Sequence, residues 1–312
     1  MKKTVLTVLI IFLLLTVIWF ISPRKEGCLT GAFLADKPKA EDILKFNSVF
    51  GKKPYLVMVF TDWGNFVDED ILNGIYEKGC ALFVTWEPWN AYTKESIDYD
   101  ALLKGSYDKY ISDFALSLKK KGKIFFIRFA HEVNGDWYPW SGRKIGKDKY
   151  IAICRYVKGI FDKNQIDNAR WVFSVNWEDV PEEKNYFLDY YPGDDYVDFV
   201  GIDGYNWGNT RSWNRWMSFR DIFDKRIKDI RANLSKEIII SEFSSASKGG
   251  DKLIWIKKAL DYIKSEKAIR GFVLFNIDKE EDWSFYGNGS FERAIRKKLA
   301  DGYFLGHSLS RD

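Results

Sequence analysis

The sequence predicts an α/β fold of the (β/α)8 barrel class, preceded by an N-terminal hydrophobic membrane segment, and three observations carry this expectation. Eight short apolar runs alternate with longer amphipathic stretches, the pattern of repeated strand–helix units. Polar and aromatic residues gather just after these runs, as they should if the runs are strands whose C-terminal ends form a barrel mouth. The chain has 312 residues, and one barrel can account for residues 31–312 without a second domain.

The strand candidates are Gly31–Leu34, Tyr55–Phe60, Ala81–Trp86, Ile124–Phe129, Arg170–Val175, Phe199–Asp203, Ile238–Glu242 and Phe272–Asn276. Between them, Ala101–Lys119, Lys149–Phe161, Phe219–Leu234 and Lys252–Ile263 place apolar residues near helical spacing. The residues just beyond each strand candidate test the barrel. The second is followed by Asp62 and Trp63, the third ends in Trp86-Glu87-Pro88-Trp89, the fourth leads to His131-Glu132 and the fifth to Asn176-Trp177. The sixth supplies Asp203, Tyr205, Asn206 and Trp207, the seventh Glu242, and the eighth Asn276, then Asp278 and Trp283.

The N-terminus is a separate matter. Lys2 and Lys3 precede an uncharged run from Thr4 to Ile21, long enough to span a bilayer. It ends in Trp19-Phe20-Ile21-Ser22-Pro23, which offers no small-x-small cleavage site. Residues 1–22 are therefore expected to be an uncleaved anchor that meets the membrane through residues 4–21, with 23–30 a short linker. The two lysines would keep the tail cytoplasmic and put the barrel outside the cytoplasm; secretion after cleavage is the alternative. Cys28 does not sit in a lipoprotein attachment box.

Composition excludes several classes. The balance of 48 basic to 44 acidic residues gives only +4, with no basic stripe, so no nucleic acid is expected as a partner. The cysteines, Cys28, Cys80 and Cys154, are too scattered for a disulfide framework; a Cys80–Cys154 bridge is the most they allow, and buried free thiols are expected. The only histidines are His131 and His307, which rules out a histidine-rich metal site. The expected state is a monomer with no metal and no organic cofactor.

The stretch Arg128–Gly142, R-F-A-H-E-V-N-G-D-W-Y-P-W-S-G, comes directly after the fourth apolar run and breaks into a loop at Asn134-Gly135. It combines a carboxyl group that can move protons with flat apolar rings on which a pyranose can stack. The bland alternative is that Glu132 is a surface charge and that Trp137 and Trp140 are packing aromatics. Strand alternation puts Arg128, Ala130 and Glu132 on one face, Asp203 and Tyr205 on another strand's inner face, and Ile238, Ile240 and Glu242 on a third. Glu132 and Glu242 would then face each other across the mouth. Two carboxyl groups in a cleft lined by tryptophans are the equipment for cleaving glycosidic bonds, and Arg128 paired with Glu242 would keep that glutamate ionised.

The fourth-strand motif H-E-x-N-G-x-W, met by His131, Glu132, Asn134, Gly135 and Trp137, resembles that of glycoside hydrolase family 26, the retaining β-mannanase-type barrel glycosidases. Tyr191–Asp198, Val200–Asn206 and Ser241-Glu242-Phe243 add to the likeness, which covers residues 31 to 300. Val133 replaces the methionine common in the motif, a volume-conserving swap. The resemblance implies that Glu132 is the acid/base and Glu242 the nucleophile, with Tyr205 beside the nucleophile, His131 beside the acid and Trp137 in the sugar platform. Asn134, Trp140, Trp207, Asp203, Trp86 and Trp283 complete the candidate substrate-binding set. The implied substrate is a β-linked polysaccharide, β-1,4-mannan or glucomannan first, with β-1,3-1,4-glucan or β-1,3-xylan as alternatives. A tethered polysaccharide-binding protein without turnover is the reading from another class.

Overall fold

The computed structural model describes residues 26–182, 184–287 and 289–307. Eight parallel strands lie in chain order around a closed barrel: β1 (Cys28–Phe33), β2 (Leu56–Asp62), β3 (Ala81–Glu87), β4 (Phe125–Phe129), β5 (Ala169–Asn176), β6 (Phe199–Asn206), β7 (Glu237–Ser245) and β8 (Ile269–Phe275). Closure comes from β1, which pairs with β8 from Leu29–Gly271 to Phe33–Phe275 and with β2 at Gly31–Leu56. A two-residue strand, β9 (Phe304–Leu305), adds to β1 at Cys28 and Leu29.

The helices are α1 (Ala40–Phe50), α2 (Glu69–Glu77), α3 (Tyr99–Leu103), α4 (Asp108–Lys119), α5 (Gly142–Ile145), α6 (Lys147–Lys163), α7 (Phe219–Asn233), α8 (Lys252–Ser265) and α9 (Gly289–Leu299). Several start where a side chain satisfies the free N–H groups of the first turn. Asp68, Asp98 and Asp251 cap α2, α3 and α8, and Ser218 with Asp221 forms a reciprocal capping box on α7.

The strands read as continuous apolar runs because both their faces are buried, the inner one in the barrel and the outer one under helices. On β2, Leu56 and Met58 join the barrel interior with Phe33, Phe83, Phe126 and Phe275, whereas Val57 and Val59 join the layer shared with the helices. The same alternation places Thr85 and Arg128 inward, where apolar filling gives way to the polar groups of the mouth.

Three expectations change. The 23–30 linker is part barrel: β1 starts at Cys28, and Thr30 is fully buried. Thr30 shares the outward face of β1 with Cys28 and Ala32 and is covered by the helix layer, a burial that a polar residue ahead of Gly31 conceals. The single helix over Ala101–Lys119 is broken into α3 and α4, since Gly105 adopts a left-handed φ of 89°. Strands β6 and β7 run on to Asn206 and Ser245, three residues past the expected ends. The three cysteines are free, Cys28 and Cys80 being buried. The expected anchor, residues 1–22, lies outside the described residues; among those described, no helix is long and apolar enough to cross a membrane.

Candidate active site

Arg128 is the floor of the site. Fully buried near the end of β4, it donates from Nε to Thr85 Oγ1 at 2.9 Å, from Nη1 to Asp203 Oδ2 at 2.7 Å and from Nη2 to Glu242 Oε1. The rings of Phe60 and Phe83 lie 5.6 and 6.0 Å from its guanidinium carbon. Burial alone would weaken its hold on the proton, but the Asp203 and Glu242 carboxylates outweigh that and raise it above its ordinary range. Burial pushes the Asp203 carboxyl up, and Arg128 opposes the shift.

Glu242 accepts from Arg128 on Oε1 and from the Tyr205 hydroxyl on Oε2. Burial and the facing Glu242 charge hold Tyr205 well above its usual range, so it stays a phenol and a donor. Glu242 reaches this position through an irregularity. Ile238 and Ile240 pack in the outer layer and Ile239 in the interior, so strict alternation would turn Glu242 outward with Ile240. The register slips between Ile240 and Phe243, and again opposite Ile202 and Asp203, so that Ser241 and Glu242 both turn inward while Phe243 returns to the helices. The expectation that Ile238, Ile240 and Glu242 share a face is therefore corrected: a bulge supplies the inward glutamate.

Glu132 also escapes simple alternation. Strand β4 ends at Phe129, and Ala130 and Glu132 adopt left-handed φ values of 48° and 54°. Such strain costs on the order of 1–3 kcal/mol per residue and persists only where surrounding contacts over-determine it. Here the backbone N–H of Ala130 donates to Trp86 O at 3.1 Å and that of Glu132 to Ser174 O at 2.9 Å. Tyr150 donates to Ala130 O at 2.9 Å.

The Glu132 carboxylate accepts from Asn176 Nδ2 on Oε1 and from Trp137 Nε1 on Oε2, both at 2.8 Å. Burial, and after it the charge of Glu242, push its pKa up to about 7, against the pull of these two donors and of Arg128. The two glutamates are thus unlike. Glu242 is held by a cation and a phenol, whereas Glu132 is poised to carry a proton near neutrality.

His131 is buried, its Nε2 lying 3.1 Å from the Tyr138 hydroxyl, and its Nδ1 has no hydrogen-bond partner among the described residues. Burial, then the Arg128 charge, lowers it well below its ordinary value, so the ring is neutral. Asn134 is fully buried and ties the loop together, donating to Asn176 O, Glu178 O and Asp179 Oδ1.

The tryptophans divide. Trp137 is 43% exposed and presents a ring beside Glu132, and Trp207 is half-buried next to Tyr205. Trp86 and Trp140 have no exposed surface and cannot stack on a sugar, contrary to their candidacy as binding residues. Trp86 points outward and packs on Phe114, ring centres 4.1 Å apart, because Thr85 and Glu87 take the inward positions of β3. Trp140 lies under Tyr138, centres 4.3 Å apart, and donates to His131 O at 2.7 Å, so it supports the loop from beneath. Trp283, 1% exposed, backs Tyr205 and Trp207, with centres 4.9 Å from each. Asp203 and Asn134 likewise act on protein partners, and neither has exposed surface.

Residues absent from the expected set also belong here. Arg128 and Asn176 each hold a glutamate, and Tyr138 caps His131. Glu87, kept by Trp89 Nε1 at 3.1 Å and raised by burial, lines a cleft of about 430 Å³ with Phe60, Asp62, Asn65 and Phe66. Their shared signal was position, at or just beyond the ends of strands β2 to β5.

Comparison with known proteins bears on the family and the fold. The profile of glycosyl hydrolase family 26 matches residues 84–248. The chain is 36% identical over 285 residues to endoglucanase H of Acetivibrio thermocellus, covering 89% of this chain and 31% of that protein. It is 31% identical over 105 residues to a mannan endo-1,4-β-mannosidase of Bacillus subtilis, covering 30% of this chain and 27% of that one. A β-1,3-xylanase of Alcaligenes sp matches at 22% over 194 residues, 58% of this chain and 40% of the xylanase. The chain thus spans about a third or less of the length of the first two relatives. In fold it is similar to the GH26 domain of an endo-β-mannanase/endo-β-glucanase from Prevotella bryantii, at a TM-score of 0.64 and 15% identity over 90% of this chain and 91% of that one.

Proposed function

Because the chain belongs to glycosyl hydrolase family 26, we propose that it is an endo-acting hydrolase of β-linked polysaccharide working by double displacement, with Glu132 as acid/base and Glu242 as nucleophile. The observation that carries this reading is the difference between the two carboxyl groups. Arg128 and Tyr205 orient both oxygens of Glu242, while Glu132, its pKa pushed up to about 7 by burial first and the Glu242 charge second, is poised to give and take a proton near neutral pH.

In the first step Glu132 protonates the leaving glycosidic oxygen as Glu242 attacks the anomeric carbon, giving a glycosyl ester and a free chain end. Burial still raises Glu132, but the ester removes the second cause, the Glu242 charge, so the acid's pKa falls and it becomes the base for the incoming water. Water then attacks the anomeric carbon, Glu132 takes its proton, and Glu242 leaves as the carboxylate. Trp137 supplies a flat face beside the cleavage point.

Substitution combined with added azide separates the roles. Glu132→Ala should lose activity most on substrates with poor leaving groups, still form the ester from an activated aryl glycoside, and give a glycosyl azide of retained configuration. Glu242→Ala should give the inverted azide. An inverted sugar from the native protein would overturn the assignment.

For substrate, β-1,4-mannan or glucomannan is the first reading, supported by family membership and by the mannosidase relatives. A β-1,3-1,4-glucan is the second, favoured by the likeness to endoglucanase H, which extends over 89% of the chain against 30% for the mannosidase. Reducing ends released from mannan, glucomannan, mixed-linkage glucan and β-1,3-xylan decide between them, and turnover of none would favour a binding protein. We further propose that residues 4–21 anchor a monomeric enzyme with its barrel outside the cytoplasm. Fractionation with intact Met1–Ser22 supports the anchor, and a mature N-terminus near Cys28 would replace it with secretion.

A further inference from the structure

We propose that Asn176, at the end of β5, is the positioning residue of the acid/base, and that the ion pair of buried Arg226 with Asp179 acts through Asn134 to hold it. The proposal rests on the reading of Glu132 as acid/base.

The geometry leaves Asn176 one orientation. Its Oδ1 accepts the Glu178 N–H at 3.0 Å, which directs Nδ2 to Glu132 Oε1 at 2.8 Å. Its backbone is clamped by Asn134, whose Oδ1 accepts the Asn176 N–H at 2.8 Å and whose Nδ2 donates to Asn176 O at 3.0 Å. An amide side chain does here what one more strand residue would do, on a segment where β4 has already ended. Asn134 in turn donates to Asp179 Oδ1 at 2.8 Å. The same oxygen accepts from Arg226 Nη2 at 2.6 Å, on helix α7.

Arg226 is 3% exposed, its guanidinium carbon 4.2 Å from the centre of the Phe187 ring, and its Nε and Nη1 have no hydrogen-bond partner among the described residues. An arginine so buried is costly unless it does something for its neighbour. Its placement fixes Asp179, and through Asp179 the loop between β5 and the acid/base.

An amide N–H on a carboxylate favours the ionised form. The charged and titratable groups that also act on or respond to Glu132 are Glu242 on β7, Arg128 on β4, Asp203 and Tyr205 on β6, and Tyr138 in the loop after β4. The Asn176 amide spends its hydrogen bonds on Glu132 and Glu178, so a change at Asn176 reaches Glu132 directly. Loss of its donor should move the alkaline limb of kcat/KM upward, and a second carboxylate in its place should move it further.

The test compares Asn176→Ala, Asn176→Asp and Asp179→Asn with Glu132→Gln in the full chain, each checked for folding by thermal unfolding. Asn176→Ala should lower kcat on polysaccharide by about tenfold to a hundredfold with KM changed less than about twofold, because the acid is displaced and the sugar platform is not. It should be much less impaired on an activated aryl glycoside. Both Asn176 variants should show the raised alkaline limb, and Asp179→Asn a smaller shift the same way. Asn176→Asp is nearly the same shape and keeps an acceptor for the Glu178 N–H, so it remains informative if the alanine variant unfolds. If Glu132→Gln is inactive while the limb stays in place in both Asn176 variants, this inference is wrong and the acid/base assignment stands. An active Glu132→Gln overturns the assignment itself, and with it the inference.

Discussion

Trp137 does two jobs through one side chain: its ring is open to solvent and its indole N–H holds Glu132 Oε2. Substitution can separate them. Trp137→Phe keeps a ring and loses the donor, so its main expected effect is an alkaline limb moved above that of the native protein. Trp137→Ala loses both and, on the proposed role of the ring as a sugar platform, should also raise KM, since such a platform contributes to ground and transition states alike. If Glu132 is the acid, the alkaline limb of kcat/KM in the native protein should fall near pH 7, where its raised pKa lies. A pH–rate profile flat from about pH 6 to about pH 9 would contradict this. Arg128 is the other residue with a sharp expectation. Its loss would leave Asp203 and Glu242 buried without their cation, which costs about 3–5 kcal/mol, and would release Glu242 Oε1 from the donor that orients it. Arg128→Met should therefore lower both Tm and kcat, whereas Arg128→Lys should restore part of the Tm and little of the kcat, since an ammonium cannot span Thr85, Asp203 and Glu242 with one planar fork.

At the level of elements, both glutamates depend on breaks in regular structure: a bulge in β7 for Glu242, and left-handed residues after β4 for Glu132. The bulge is accommodated beside Gly201 on β6. A Cβ there would meet Ser241 Oγ and would come within 2.6 Å of Ser174 Oγ. Gly201→Ala should then destabilise by about 1–3 kcal/mol, the usual cost of overpacking, and displace Ser241 and its neighbour Glu242. The measured signature is a lower Tm together with a kcat loss that KM does not share. An alanine accepted without either effect would mean that β7 can shift away from β6 at no cost.

For the whole molecule, the barrel closes through β1, and its first residues belong to the closure. Cys28 pairs with Phe304, and Leu29 pairs with both Gly271 and Leu305. A chain starting at residue 26 should therefore unfold cooperatively at the temperature of the full barrel. One starting at residue 31 lacks half of β1 and exposes the edge of β8, and should be insoluble or melt without a single transition. Equal Tm values for the two would show that closure relies on Gly31–Phe33 alone.

Composition and periodicity were enough to establish the eight strands, their order and the end of the barrel where polar and aromatic residues gather, because strand length, apolar content and the residues just after each run are local properties of the chain. The motif around Glu132 and the glutamate of Ser241-Glu242-Phe243 were legible for the same reason. Which way side chains face at the ends of β4 and β7 was not, since a bulge or a left-handed residue depends on neighbouring strands and reverses the alternation that a sequence implies. The division of the tryptophans had the same cause: Trp86 and Trp137 both come after apolar runs, yet one packs under a helix and the other stands open, as only the inward and outward directions of a closed barrel could decide. The pairing of Arg128 with Glu242 was expected from an inward arginine's need for an acidic partner, but its pairing with Asp203 and the hold of Asn176 on Glu132 join residues 75 and 44 positions apart. No local pattern encodes such contacts; the tertiary structure alone brings them together.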